Sequence, residues 1–415
     1  MLFLYNAGIC LYTLLITLVS LKNKKAAQWL NGRKGILERI ESSIDKNKRY
    51  AWFHFASLGE FEQGRSVLEK LKADYPGTSI VITFFSPSGY EIRKNYALAD
   101  HVFYLPIDTR YNARKFVSLI NPTIAVFTKY EYWYHYFEAL HDHKTPHYII
   151  SGIFRKDQAF FKWYGSLHRK MLSWVSHVFV QNKESRELLG LIGIKQVTVS
   201  GDTRFDRVEF NAKNPIKIKA IEEFCESAPV FIGGSTWPDD EKIISNLVLM
   251  YPRWKFIIAP HEVNTARIEG IEKQFPNSVK LSSIQKQEIE IQTNETPQVL
   301  IIDSIGLLSS IYQYGHIAYI GGGFGVGIHN TLEAAAFGLP LIFGPNYSTF
   351  IEAVELIKNG SAFSVNDSKE LNTQMELLSK VENRIKSGST AREYVSSHTG
   401  ATKSFLDYIY KKGFN

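Results

Sequence analysis

Two short stretches hold the residue types best suited to chemistry. In His54-Phe55-Ala56-Ser57-Leu58-Gly59-Glu60, a carboxylate follows a serine by three residues, directly behind an apolar run. Such a carboxylate can take a proton from an attacking hydroxyl, and a helix start there favours its ionised form. The same Ser57-x-x-Glu60 spacing is that of a capping box, in which both side chains serve only the helix end. The second stretch runs Gly321-Gly322-Gly323-Phe324-Gly325-Val326-Gly327-Ile328-His329-Asn330-Thr331-Leu332-Glu333. Its glycines let a ligand approach the backbone and leave N–H groups for an anion. The spacing is not that of a dinucleotide fingerprint, and without a lysine it is not a P-loop. Asn330 and Glu333 repeat the cap-plus-three spacing, so capping alone also explains them.

Two further loops follow apolar runs. Ser86-Pro87-Ser88-Gly89 offers hydroxyl and amide donors for a phosphate or sugar, and equally reads as a helix start with proline in the first turn. Thr128-Lys129-Tyr130-Glu131-Tyr132-Trp133 sets Lys129 and Glu131 among three aromatics. This fits an anionic acceptor beside Lys129, and it fits a half-exposed strand end.

The elements that must position these loops are short β-branched runs alternating with amphipathic stretches. One series is 51–56, 79–84, 101–105, 123–128, 147–151 and 177–181; a second is 229–234, 254–259, 298–303, 316–322 and 339–344. Strand–helix alternation predicts parallel sheets with helices on both faces. Two series predict two Rossmann-like α/β domains facing one cleft, over 50–205 and 206–381, with DRVEFNAKNPIK (206–217) as a polar linker. Ligands of such sheets sit beyond the carboxyl ends of the strands, where all four loops fall. The tail, 382–415, is helical and polar and is expected to pack back across both domains.

A chain of 415 residues allows two to three domains. Two cysteines, Cys10 and Cys225, exclude a disulfide framework, and no Cys/His spacing suggests zinc. A net charge of +7 suits nucleic acid, an anionic membrane or an anionic substrate. Its distribution is more telling. Residues 1–21 carry no charge, and the run is about long enough to cross a ~30 Å hydrocarbon core. Asn6, Gly8, Thr13 and Thr17 also allow a helix lying in the interface. A cleaved signal peptide fits poorly, since no basic region precedes the apolar one. From Lys22 to Arg49, nine Lys/Arg face three acids, an excess of +6. The positive-inside rule puts everything after this membrane anchor (1–21) and basic segment (22–49) in the cytoplasm. Charge gathered beside the anchor, with the sheet domains left nearly neutral, argues against nucleic acid.

Taken in order, these motifs resemble the 3-deoxy-D-manno-octulosonic acid (Kdo) transferases of lipid A biosynthesis, glycosyltransferases of GT-B fold with an N-terminal membrane anchor. FHFASLGE is similar to the family's first-strand motif. TFFSPSGY, YLPID, YEYW and VSGDTRFD are similar to later landmarks of its first domain. GGSTW, IAPH, DSIG, GGGFGVGIHNTLEAAAFGLPLIFGP and FIEAVEL resemble its nucleotide-sugar half. Two departures stand out: the family's Pro-Arg-His is Pro260-His261 here, and its Glu-x-Glu-x-Trp keeps only Glu131 of the two acids. His261 or Arg267 is then expected to take over from the missing arginine.

The resemblance implies that Glu60 is the catalytic base. It implies nucleotide-sugar contacts from Ser235, Thr236, His261, Ser304, Ile305, Gly306, Gly322, Gly323, His329, Asn330 and Glu333. Acceptor contacts are expected from Ser57, Gly59, Ser86, Ser88, Lys129 and Glu131. The donor would be CMP-Kdo and the acceptor the lipid A precursor, with inversion at the anomeric carbon and no metal. The setting would be the cytoplasmic side of a bacterial inner membrane, against its anionic lipids. The alternatives are a GT-B transferase for another nucleotide sugar, or a silent membrane-tethered nucleotide-binding protein.

Overall fold

The structure is a computed structural model that describes residues 1–286 and 297–414. The chain forms two compact units, Met1–Arg207 with Thr399–Asn415, and Val208–His398.

The first unit is built on a parallel sheet of seven strands: β1 (Tyr50–Phe55), β2 (Ser79–Phe84), β3 (His101–Tyr104), β4 (Pro122–Thr128), β5 (His147–Gly152), β6 (His177–Val180) and β7 (Val197–Val199). Their order is β3-β2-β1-β4-β5-β6-β7. Every residue of β1 is buried, as expected of a central strand covered by helices on both faces. The second unit repeats the plan with β8 (Val230–Thr236), β9 (Lys255–Pro260), β10 (Ser278–Lys280), β11 (Val299–Ile301), β12 (Ile317–Ile320), β13 (Leu341–Phe343) and β14 (Ala362–Ser364), ordered β10-β11-β9-β8-β12-β13-β14. In each sheet the order reverses beside the first strand. Connections leave β1 and β4, and likewise β8 and β12, in opposite directions, which opens a crevice at their carboxyl ends. The Ser57–Glu60 and Lys129–Trp133 loops flank one crevice; the Ser235–Trp237 and glycine loops flank the other.

All eleven expected strands form. The sequence reading omits β7, β10 and β14, each of three residues and at a sheet edge or, for β10 and β14, at opposite edges of one sheet. Three residues with a single pairing partner carry too little apolar pattern to register. The linker expected at 206–217 is a correction: Thr203–Lys213 is a helix, supported on its surface by the Glu209–Lys213 pair at 3.2 Å. The tail divides. Val381–Ser397 buries Ala391 and Val395 in the second unit, whereas Ala401–Lys411 returns to the first and buries Phe405, Leu406 and Ile409 there.

Leu2–Val19 is one helix, α1, with no buried residue. Leu2, Tyr5, Ile9, Thr13 and Ile16 are half-buried along one face, while Phe3, Leu4, Leu11, Leu14, Leu15 and Leu18 are exposed opposite. The inner face is held by polar bonds. Tyr5 donates its hydroxyl to Asp108, and Asn6 Oδ1 accepts from His135 Nε2 at 2.7 Å. The Tyr12 ring meets Trp29 and Phe85 at 5.8 and 6.1 Å. The basic stretch that follows is not a solvated linker, because it forms helices at Lys24–Asn31 and Ile36–Ser43. Its Arg33 is buried, donates to the carbonyls of Trp29, Phe85 and Leu105, and lies 4.0 Å above the Trp29 ring. Burial lowers this guanidinium to about 10. One of the nine basic side chains therefore belongs to the interior.

Candidate active site

In the first unit the Leu58–Asp74 helix starts directly after β1, with Ser57 extended at its N-cap position. Ser57 caps no backbone amide; its hydroxyl donates to the Glu60 carboxylate. The capping-box reading is thus not realised, and Glu60 stands half-buried in the helix's first turn with a hydroxyl on it. Gly59 is exposed beside the pair. At the neighbouring strand end the helix-start reading of Ser86 and Ser88 is realised. Ser86 accepts from the Ser88 amide at 3.2 Å, and Pro87 opens the Pro87–Arg93 helix. Their hydroxyls, 2.9 Å apart, are bonded to each other.

Glu131 is less available than a loop carboxylate should be. Its side chain is 11 % exposed, and Oε2 accepts from Trp133 Nε1 at 2.8 Å and from His54 Nε2 at 3.0 Å. Trp133 Nε1 also lies 3.2 Å from His54 Nε2, with the Glu131 carboxylate its nearer acceptor. Trp52 Nε1 donates to Thr83 Oγ1 at 2.8 Å, and a Thr83 hydroxyl proton directed to His54 Nδ1, 2.8 Å away, completes the chain. In that arrangement the His54 proton is on Nε2, facing the Glu131 carboxylate. The fully buried His54 thereby joins the ends of β1, β2 and β4 through one carboxylate. Lys129, next to it, has a left-handed backbone at φ 57°, a conformation that costs a non-glycine residue energy and recurs at functional loops.

In the second unit the glycine loop is folded on itself. The amides of Gly321, Gly325 and Gly327 donate to Gly234 and Gly322 carbonyls. The Gly322 amide donates to Asp240 Oδ2 at 2.9 Å. An anion site made from all of these amides, as the sequence suggests, is therefore not what the loop offers. Glycine is required for close approach instead. A Cβ on Gly321 would lie 2.3 Å from the Ser235 carbonyl, and one on Gly323 would meet the Gly344 backbone at 2.5 Å. Asn346 ties the loop from outside, donating to Gly323 and Gly325 carbonyls. Ser235 itself has φ 52°.

Asp240 and Glu241, which look like an acidic helix start, are fully buried. Asp240 accepts from the Trp237 amide, the Gly322 amide and the Tyr319 hydroxyl, all at 2.8–2.9 Å. Burial raises its carboxyl despite those donors. Glu241 is likewise raised by burial and opposed by Arg267, whose guanidinium is 2.5 Å away; Thr236 donates its hydroxyl to the same carboxylate. Thr236 and Arg267 are consequently committed inward, and neither side chain is placed to meet a ligand as expected. His261 is exposed and stacks on His329 and Trp237 at 4.3 and 4.9 Å. Asn330 donates to Glu333 at 3.0 Å and accepts from the Leu332 amide, but the N-cap residue is Thr331 and it makes no side-chain cap, so the expected capping box does not form. Ser304, Ile305 and Gly306 lie exposed past β11, but the helix after them starts only at Leu308 and has a single turn. The helix-start dipole expected there is correspondingly small.

Among the described residues, no three His, Cys, Asp or Glu side chains come together as a metal site. Sequence reasoning missed Trp237, Asp240, Thr83 and the role of His54. The only signal was position: each lies on or just past a strand that ends at a crevice.

With this geometry in hand, the comparisons with known proteins are decisive. A family profile described as 3-deoxy-D-manno-octulosonic-acid transferase matches residues 30–207. The chain is 26% identical over 410 residues to the 3-deoxy-D-manno-octulosonic acid transferase of Haemophilus influenzae, covering 95% of this chain and 93% of that one. It is 28% identical over 381 residues to the Aquifex aeolicus transferase of the same name, covering 89% and 98%. The chain is thus similar to Kdo transferases over nearly its whole length. Solved structures extend the likeness to fold alone. UDP-GlcNAc 2-epimerase of Neisseria meningitidis superposes with a TM-score of 0.62 at 16% identity, over 87% of this chain and all of that one. MurG of Acinetobacter baumannii does so at 0.52 and 12%, over 87% and 99%. The two-unit α/β architecture is GT-B-like, and the chain is a glycosyltransferase.

Proposed function

We propose that the protein transfers Kdo from CMP-Kdo to a lipid A precursor, with the first unit taking the acceptor and the second the donor. The observation that carries the mechanism is Glu60, a half-buried carboxylate at the carboxyl end of β1 held by the Ser57 hydroxyl. Glu60 takes the proton of an acceptor sugar hydroxyl. The oxygen then bonds to the anomeric carbon of Kdo as the bond to the phosphate oxygen breaks, with inversion, and CMP leaves. In the second unit His329, Asn330 and Glu333 hold the nucleotide, and the Ser235–His261 strand ends face its phosphate. Lys129 handles the charge of the phosphorylated acceptor.

The work is done on the cytoplasmic face of a bacterial inner membrane. Eighteen residues make α1 about 27 Å long, enough to cross a bilayer by length and composition. Its placement supports a different attachment, because one face rests on the first unit from Leu2 to Ile16 and only the other is free for lipid. A helix lying in one leaflet satisfies both faces.

Purified protein supplied with CMP-Kdo and lipid A precursor should give a product heavier by one or more Kdo units in the mass spectrum. UDP- and GDP-sugars should give none. Glu60→Gln should abolish product yet bind CMP-Kdo as before; near-normal turnover in that variant would remove Glu60 from the role of base.

A further inference from the structure

Three aromatic side chains from three loops of the second unit form one assembly, in which the glycosyl-transfer scheme gives Trp237 no part. Trp237 follows β8, His261 follows β9, and His329 closes the glycine loop after β12. The Trp237 indole and His329 imidazole are coplanar to within 2°, and Trp237 Nε1 donates to His329 Nε2 at 3.0 Å. His261 lies across both rings, stacked at 4.9 and 4.3 Å and tilted by 19° and 20°. Trp237 is in turn fixed from behind, since its amide donates to the buried Asp240, which also holds the Gly322 amide.

An indole nitrogen only donates, so the nitrogen that receives it carries no proton. A neutral imidazole bonded in this way has its one proton on Nδ1. Protonating Nε2 would set two N–H groups head to head and break the bond. The charged and titratable groups around His329 are His261 over its face, Asp240 behind Gly322, Glu333 on the following turn, and the Arg267–Glu241 pair below Thr236. Burial, and secondarily His261, holds His329 down to about 4.

We propose that Trp237 is a positioning residue that fixes His329 as the Nδ1–H tautomer, so that the loop offers an anionic leaving group a neutral N–H donor instead of a cation. This rests on the second unit being the donor-phosphate site. It also explains how the site manages with Arg267 already committed to Glu241 at 2.5 Å. Fixed polarity without charge suits a group that must release CMP after transfer, because a neutral donor holds the departing phosphate less tightly than a cation does.

The tautomer is testable without any ligand. In full-length protein labelled with 15N-histidine, the His329 signal, assigned by its loss in a His329 variant, should show Nε2 as the unprotonated nitrogen throughout pH 6–8. A proton on Nε2 overturns the proposal. Trp237→Phe removes the donor to Nε2, so the His329 signals of that variant should move to those of a tautomer mixture, and CMP should bind about twofold more weakly at pH 7.5 as the Nδ1–H form loses population. Unchanged His329 signals in the variant overturn it. His329→Asn, whose amide replaces Nδ1–H, should keep CMP binding far better than His329→Gln, whose amide replaces Nε2; the reverse order overturns it. Failure of the native protein to bind CMP, with the tautomer as predicted, counts against the donor-site reading and not against the Trp237–His329 clamp.

Discussion

The Ser57 hydroxyl donates to the Glu60 carboxylate and leaves the amides of its own helix uncapped. A residue in the N-cap position that forgoes capping gives up about 1 kcal/mol of helix stability. What it gains here is a carboxylate held in one orientation. Ser57→Ala should therefore lower kcat by about tenfold, the effect of one lost hydrogen bond to a charged group, with little change in CMP affinity. Initial rates at saturating donor measure this, and an unaltered kcat would reduce Ser57 to a bystander.

His54 Nε2 and Trp133 Nε1 converge on one oxygen of Glu131. Truncation to alanine strands two donors, one of them fully buried, at a cost of about 2–4 kcal/mol. Glu131→Gln keeps one acceptor oxygen and should cost less than half as much. Urea unfolding followed by tryptophan emission distinguishes the two. Equal midpoints for Ala and native protein would mean that Glu131 faces solvent and acceptor after all.

Leu11 and Leu15 on the outer face of α1 are exposed, so Leu11→Glu with Leu15→Glu should change folding stability by less than about 1 kcal/mol. Membrane binding is another matter. Losing two buried leucines at about 1.5–3 kcal/mol each should release the protein from vesicles. Flotation on phosphatidylethanolamine–phosphatidylglycerol liposomes reads this directly. Retention of the double variant at native levels would show that α1 is not the attachment.

The first unit contains two buried groups whose titrations oppose each other. His147 is buried and pushed down to about 4, so its neutral form is favoured on folding; the unfolded chain takes up a proton below about 6.5 and stability falls as pH drops from there toward 4. Burial raises Asp108 to about 6, so its protonated form is favoured on folding and stability rises as pH drops from about 6 toward the ordinary carboxylate range. Each contributes at most about 1.4 kcal/mol per pH unit within its window. Burial lowers His101, His135, His168 and His177 of the same unit as well, so Asp108 offsets only part of the loss and the native protein should lose stability between pH 6 and 4. Asp108→Asn removes one side of the balance and should lose stability steeply over that interval. Urea midpoints at pH 7.5, 6 and 4.5 check the sign; a flat profile in the variant refutes the His147 part.

The α/β class, eleven of the fourteen strands among the described residues and the place of Glu60 just past the end of β1 were all legible in the amino-acid order. Parallel sheets need apolar runs at regular intervals, and loops past strand ends need glycine, proline or polar residues, so both leave local marks. Side-chain partnership leaves none. Ser57-x-x-Glu60 has capping spacing, yet the hydroxyl turned to the carboxylate. Asp240 and Glu241 look like surface acids on a first turn, yet the Gly322 amide, Tyr319 and Arg267 draw them inward from 82, 79 and 26 residues away.

The sequence alone determined that an uncharged N-terminal segment precedes a basic one, that two series of strands follow, and where each crevice loop falls, because these depend on neighbours along the chain. Only the tertiary structure decided which polar groups remain for chemistry. Thr236 and most of the glycine-loop amides are consumed by internal bonds, and α1 lies along the first unit with a single face open. Burial makes most buried donors and acceptors find a partner, and many of those partners come from distant strands that meet only once the sheets have formed.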